Sequence, residues 1–309
     1  MSNCKICSKS FDSERSLHAH IKSHGLMLAE YYTQYHPRFN LLTGEPLPFK
    51  NKEQYFSQDF SNREQLIEWC AAKYKSDDHY DAEGYMLKLL KKRICEKNLK
   101  TGPSHFELFN SQLPTINLFQ KYFGSYTEAC KLAGVKPMFG SRLPDEWKNS
   151  VPDDVKIFID TREQQPLSFK NSESLKLDFG DYAVGSDYYD YTYVDRKSEN
   201  DFKSTLSKNN FDRFRAELQR AKDFNSYMFI VTEGSPESIE KNNRNAPHKS
   251  NMKYIYHNMR VLDHEFNGHC QFIFSGSREK SELYIPKILT LGKRLWNVDL
   301  QYYIDNNII

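Results

Sequence analysis

The apolar positions recur at two different spacings along the chain, and those spacings divide it. Asn62–Tyr74 reads as helical, and from Asp81 onward Tyr85, Leu87, Leu90 and Ile94 recur at helical intervals until Thr101-Gly102-Pro103 ends the run. Phe119, Phe123, Ala129 and Ala133 then predict two short helices packed across a turn at Gly124. Ser125 is placed to cap the second of them, and Gly134 and Pro137 to stop it. Residues 139–154, with Pro144 and Pro152, read as a linker. Beyond it the pattern turns to strands. Val155–Ile159, apolar but for Lys156, reads as a buried strand and Ser174–Asp178 as a second short strand. Tyr189, Tyr191 and Tyr193 alternate along a third that continues through Asp195 to Lys197. Tyr227–Val231 and Gln271–Phe274 read as further buried strands, while Asp201–Leu206, Phe211–Phe224 and Ile285–Trp296 carry helical spacing. Strands alternating with helices predict an α/β core with helices on its faces.

Length and composition narrow the class. At 309 residues the chain has room for about two domains, or one domain with small modules. It is globular but polar, with 39% hydrophobic and 27% charged residues. Its apolar runs fall far short of the ~20 residues that cross a membrane, and its first residues lack the apolar core of a signal peptide. A soluble, intracellular protein without a membrane partner is expected. The net charge of +2 does not by itself argue for nucleic acid. Its distribution says more, because Lys88, Lys91, Lys92, Arg93, Lys97 and Lys100 crowd one segment with only Glu96 against them. Such a run is either a solvated helix face or a phosphate-contacting patch. Six cysteines are too few and too scattered for a disulfide scaffold; Cys70, Cys95, Cys130 and Cys270 read as reduced and mostly buried.

The remaining pair, Cys4 and Cys7, belongs to a metal module. Cys4-x2-Cys7-x12-His20-x3-His24 has the ligand spacing of a structural zinc site, with the two imidazoles one helical turn apart. Phe11 and Leu17 occupy the positions of a small core. Residues 2–25 therefore resemble the two-Cys/two-His zinc-finger family, which implies a small ββα unit, bound Zn2+ and folding that depends on the metal. The resemblance places Ser13, Ser16 and Ala19 where such fingers read bases, and none can grip a base edge in two places. Lys5, Lys9, Arg15 and Lys22 are expected to hold phosphates instead.

The strongest chemical signal lies further on. Gly180-Asp181-Tyr182 puts a carboxylate at one strand end, and Asp195-Arg196-Lys197 follows after a hairpin's length. Residues two apart on a strand share a face, so Asp195 and Lys197 converge. Two acids beside one lysine can hold a divalent cation next to a phosphate and stabilise charge as the phosphate is attacked. With Asp160-Thr161-Arg162-Glu163 after the first strand, Asp201 four residues after Lys197, and Arg213-Phe214 with Glu217, residues 153–300 resemble the XPF-type nuclease domain of the PD-(D/E)xK superfamily. Asp195 stands where that family has Glu, and Glu217 where it has Gln. The resemblance implies a restriction-endonuclease-like α/β domain in which Asp181 and Asp195 hold Mg2+ (or Mn2+) and Lys197 orients water or neutralises charge. Asp160 and Glu163 assist as acids, and Arg162, Arg196 and Arg213 grip phosphates.

The segment Pro114–Gly134 resembles the small DNA-binding repeat that accompanies many homing endonucleases. His24–Tyr32 resembles the finger tails of phage-encoded endonucleases. The expected organisation is a finger over 1–28, a linker with short helices over 29–80, a helical DNA-binding segment over 81–140 and a nuclease domain over 150–309. The expected function is a metal-dependent DNA endonuclease of the site-recognising homing type, in the host cytoplasm if phage-encoded, with a homodimer for double-strand cleavage. The alternatives are a nuclease selecting flaps or branched DNA by shape, a reading weakened because no tandem helix-hairpin-helix module follows the domain, and a non-catalytic DNA-binding protein.

Overall fold

The computed structural model describes residues 2–49 and 51–309. The chain begins with β1 (Ser2–Asn3) and β2 (Ser10–Phe11), an antiparallel pair, followed by α1 (Glu14–Ile21). Next come α2 (Leu28–Tyr35), α3 (Lys52–Ser57), α4 (Arg63–Tyr74) and α5 (His79–Lys97). Then follow β3 (Thr101–Gly102), α6 (His105–Asn110), α7 (Ile116–Phe123), α8 (Tyr126–Leu132) and β4 (Lys136–Pro137), which pairs in parallel with β3. The second half comprises β5 (Ile157–Asp160), β6 (Ser172–Leu175), β7 (Tyr182–Val184), β8 (Thr192–Lys197), α9 (Glu199–Thr205) and α10 (Phe211–Asp223). It ends with β9 (Tyr227–Thr232), α11 (Pro236–Asn245), α12 (Met252–Glu265), β10 (Cys270–Phe274), α13 (Arg278–Leu291) and α14 (Leu300–Asp305). No helix among the described residues is long and apolar enough to cross a membrane.

These elements form two compact units. One takes the residues up to 89 together with 112–125, the other 90–111 together with 126–309. In the first unit the finger has the ββα order expected of it, and Ser13 caps α1 by accepting the Ser16 N–H at 3.2 Å. The finger's core does not stop at its last ligand. Tyr31 of α2 is fully buried with Cys4, Leu17 and Ile21, and its hydroxyl accepts the Lys5 N–H at 2.8 Å. Asn62 caps α4, and Tyr122 of α7 donates to the carbonyl of Cys70 on α4 at 2.6 Å.

The second unit is built on a six-stranded mixed sheet in the order β10-β9-β8-β7-β5-β6. β8, β9 and β10 run parallel; β7 is antiparallel to both β8 and β5; β6 is parallel to β5. Strand alternation sorts the side chains onto two buried faces. Ala183, Tyr193, Met228, Ile230 and Phe272 meet Phe202, Phe214, Leu218, Ile255 and Met259 from α9, α10 and α12. Tyr182, Val184, Val194, Phe229 and Ile273 meet Ile285, Ile288 and Leu300 from α13 and α14. On that second side Trp296 stacks on Tyr227 with centroids 5.2 Å apart and donates its indole N–H to Thr192 at 2.8 Å.

Several expectations change here. The tyrosine alternation does not begin the strand: Tyr191 has φ +69° and Asp190 accepts the Thr192 hydroxyl, so β8 starts at Thr192 and Tyr191 stays exposed. The second strand lies at Ser172–Leu175, an exposed edge whose polar sequence carries no alternation. The closing helix starts at Arg278 because Ser277 caps it, and Pro286 lies inside it. Residues 139–154 do not run free, since Trp147 is buried in the second face's core. Within the expected 81–140 segment, α6 belongs to the sheet unit. Phe106 stacks on Phe274 at 4.9 Å, and buried Glu107 accepts Arg93 at 2.9 Å and pairs with His264 at 2.7 Å.

Candidate active site and metal centres

Glycine 180 lets the site close. It has φ +60°, and a Cβ there would sit 2.7 Å from the Val194 carbonyl oxygen. With no Cβ in the way, Asp181 N–H donates to Val194 O at 2.8 Å, extending the ladder to the residue before β7. The Asp181 carboxylate then accepts the Arg196 N–H at 2.7 Å. From β8, Asp195 and Lys197 emerge on one face, as alternation requires, with Nζ 2.7 Å from Oδ1. Both side chains are largely buried. Phe214 of α10 lies under the ammonium, 5.4 Å from ring centre to Nζ. Glu217, one turn on and half-buried, feels Asp195 and Lys197 electrostatically.

The charges in this pocket do not balance. Burial, and then the neighbouring Asp195 charge, push the Asp181 carboxyl up to about 8. Glu217 is raised for the same two reasons. Burial alone would lower the Lys197 pKa, but Asp195 and Asp181 hold it above its ordinary value, so the ammonium stays charged. Asp195 Oδ2 is buried and has no hydrogen-bond partner. An orphaned carboxylate oxygen facing a carboxyl that cannot ionise cheaply is the environment a divalent cation relieves, and the hard oxygen donors suit Mg2+ or Mn2+.

The other expected residues are placed differently. Asp160 is spent on structure: its two oxygens take the Arg162 N–H, the Arg162 guanidinium and the Leu177 N–H at 2.6–3.0 Å. Burial favours its neutral form, but those hydrogen bonds outweigh it and lower its pKa. It thereby orients Arg162, whose guanidinium is two-thirds exposed beside the site. Arg196 is a correction. The alternation that unites Asp195 and Lys197 sends its side chain to the opposite face, where it is buried against Glu163 at 3.0 Å and Glu233 at 3.1 Å. Its guanidinium has no open face for a phosphate, and Glu163 is occupied with it and with the Gln165 N–H. Arg213 is exposed on α10. Glu233 went unnoticed in the sequence. The signal was its place one residue after β9, beside the end of β8, where Lys197 registers with Thr232.

At the other end of the chain, Cys4 Sγ lies 3.5 Å from His24 Nε2, Cys7 Sγ 3.2 Å from His20 Nε2, and the two imidazole nitrogens 3.0 Å apart. All four ligand atoms fall within 4.8 Å of one another, the only such cluster of three or more His, Cys, Asp or Glu among the described residues. Two thiols and two imidazoles at these separations fit the corners of a tetrahedral Zn2+ site with bonds of about 2.0–2.3 Å.

Two regions of the chain match known families. Residues 146–288 match the ERCC4 domain family, and residues 2–25 match a family described as zinc-finger double-stranded RNA-binding. The chain carries an ERCC4 domain behind an N-terminal zinc finger. Among solved structures it is similar to XPF from Aeropyrum pernix (19% identity, TM-score 0.34, 44% of this chain and 66% of that one). It is similar too to the same protein in complex with DNA (19%, 0.35, 45% and 65%). The chain thus spans just under two thirds of the solved chains it matches. No curated protein matches it. The ERCC4 domain holds Asp181, Asp195, Lys197, Arg162 and Glu217. The Pro114–Gly134 repeat lies outside both matched regions.

Proposed function

We propose that the ERCC4 domain is a divalent-metal-dependent DNA endonuclease that selects its substrate by DNA structure. The observation that carries this reading is the pairing of Asp181 with Asp195 beside Lys197, with one buried Asp195 oxygen left without a partner. Asp181 and Asp195 hold the cation; Glu217 adds negative charge at the rim. When bound, Mg2+ or Mn2+ polarises the phosphodiester and makes water a better nucleophile. Lys197, charged and fixed by Asp195, neutralises the negative charge that grows on the phosphate during attack. Arg162, oriented by Asp160, takes a neighbouring phosphate, and exposed Arg213 takes another. Arg196 with Glu163 and Glu233 anchors the back of β8, so that Asp195 and Lys197 keep their aim. In the finger, Zn2+ is structural, and the exposed Lys5, Lys9, Arg15 and Lys22 face duplex phosphates.

Site recognition of the homing type rests on the 114–134 repeat alone, and phage origin on the finger tail alone; neither gains support from the matched families. Selection by shape is the reading the ERCC4 match favours. One centre cuts one strand, so a double-strand break takes two events or a homodimer. The test is cleavage of flap, splayed and linear duplexes of one sequence by the full chain with Mg2+ or Mn2+. The expected outcome is cleavage at the branch, lost by at least ~100-fold in Asp195→Asn and in Lys197→Ala. No cleavage of any substrate, or full activity in Asp195→Asn, overturns the reading. Cutting of the linear duplex at one fixed sequence returns it to site recognition.

A further inference from the structure

From Lys241 to Leu262 the chain contains no aspartate or glutamate, although carboxylates elsewhere are nearly as frequent as cations. Lys241, Arg244, His248, Lys249 and Lys253 fall in this stretch, and all five are exposed. Of these five, none of Lys241, Arg244, Lys249 and Lys253 pairs with a described acid. The contrast is with α10, where cations are interleaved with Asp212, Glu217 and Asp223 and Arg215 is tied to Glu265 at 2.6 Å. A solvated helix face carries mixed signs; this stretch carries one.

It is also built rather than loose. Between α11 and α12 the loop is closed by one buried side chain, Asn243. Its Nδ2 donates to Ser250 O at 2.9 Å and its Oδ1 accepts the Ser250 N–H at 2.8 Å. The foot of the arm is tied to the start of α9, the helix that follows the strand carrying Asp195 and Lys197. Asn242 donates to Glu199 Oε2 and Ser238 to Glu199 Oε1, both at 2.7 Å, and Glu199 stands two residues after Lys197. A cationic arm held in shape meets a polyanion without the ordering cost that a mobile tail incurs.

We propose that the arm from Lys241 to Lys253 is a docking surface for the phosphate backbone of duplex DNA, gripping the duplex beside the cleavage centre. The choice of DNA as the polyanion rests on the nuclease reading; the surface itself does not. Each phosphate neutralised releases condensed counterions, so log K falls with log salt by about 0.9 per contact.

The experiment measures binding of the full chain to a labelled duplex of about 30 base pairs, in EDTA, between about 50 and 200 mM KCl. The variants are the quadruple Lys241→Ala/Arg244→Ala/Lys249→Ala/Lys253→Ala and the conservative triple Lys241→Arg/Lys249→Arg/Lys253→Arg. The quadruple variant should lower the salt slope by about 2–4 units and weaken binding at least ~10-fold, and the triple variant should keep both. A quadruple variant within about twofold of the parent at every salt concentration, or a parent that binds no duplex, overturns the proposal. Because binding is read without metal, a protein that binds through this arm but cuts nothing keeps the docking surface and sinks only the nuclease.

Discussion

Asp181 is an acid held largely in its neutral form up to about pH 8 by burial and by Asp195. Its proton is bound more tightly in the folded chain than in the unfolded one, where an aspartate titrates near 3.8. Its contribution to stability is therefore fully present below about pH 4 and is lost as the pH rises through about 8. Metal-free protein is expected to melt at a lower temperature at pH 9 than at pH 6, by a margin that shrinks in Asp181→Asn and when Mg2+ is added. Thermal unfolding in EDTA and in Mg2+ at the two pH values checks it, and a flat response in the metal-free parent counts against it. Much of this centre was legible in the sequence, because the two-residue strand period fixes Asp195 and Lys197 on one side. The same period already sent Arg196 to the other side; reading it as a phosphate grip followed the family pattern instead of the strand. Glu217 was visible only as a departure from Gln, since its approach to Asp195 depends on where α10 crosses the sheet.

Among the elements, α6 shows how local pattern and tertiary placement part company. Its six residues are too short to announce a helix, yet Phe106 packs against Phe274 of β10 and Tyr256 of α12. Phe106→Ala should destabilise the sheet unit by about 3–5 kcal/mol, read as a lower urea midpoint; a change below about 1 kcal/mol would mean that the neighbours collapse into the gap. The buried strands Val155–Ile159, Tyr227–Val231 and Gln271–Phe274 were legible because short, dominantly apolar runs, broken only by Lys156 and Gln271, have few other homes. α11 was not, because it is a polar helix rich in asparagine, started by Ser235 and Pro236 and buried mainly through Pro236, Ile239 and Asn243. The start of α13 was obscured in a similar way: Ser277 sets it, while the apolar spacing becomes obvious only near Pro286.

For the whole molecule, the sequence told the class of each part better than the division between them. The zinc ligands and the α/β alternation are periodic signals. The assignment of 90–111 to one core and 112–125 to another is decided by which apolar face finds a partner, and adjacent residues gave no sign of it. The finger's core is small (Cys4, Leu17, Ile21 and Tyr31) and its four ligands come from that same stretch. Chelation should therefore unfold residues 2–35 and leave the sheet intact. Hydrogen exchange is expected to show protection lost in α1 and α2 and retained in β8, β9 and β10; loss in both would make zinc a support of the entire chain. Trp296, pressed on Tyr227 and bonded to Thr192, has an optical consequence. The chain has three tryptophans, with Trp69 in the first unit and Trp147 and Trp296 in the second. Replacing Trp69 with Phe confines indole emission to the half that contains Asp195, with one emitter resting on the strand that carries it, so the colour of the light reports on the sheet unit while the finger's half stays dark.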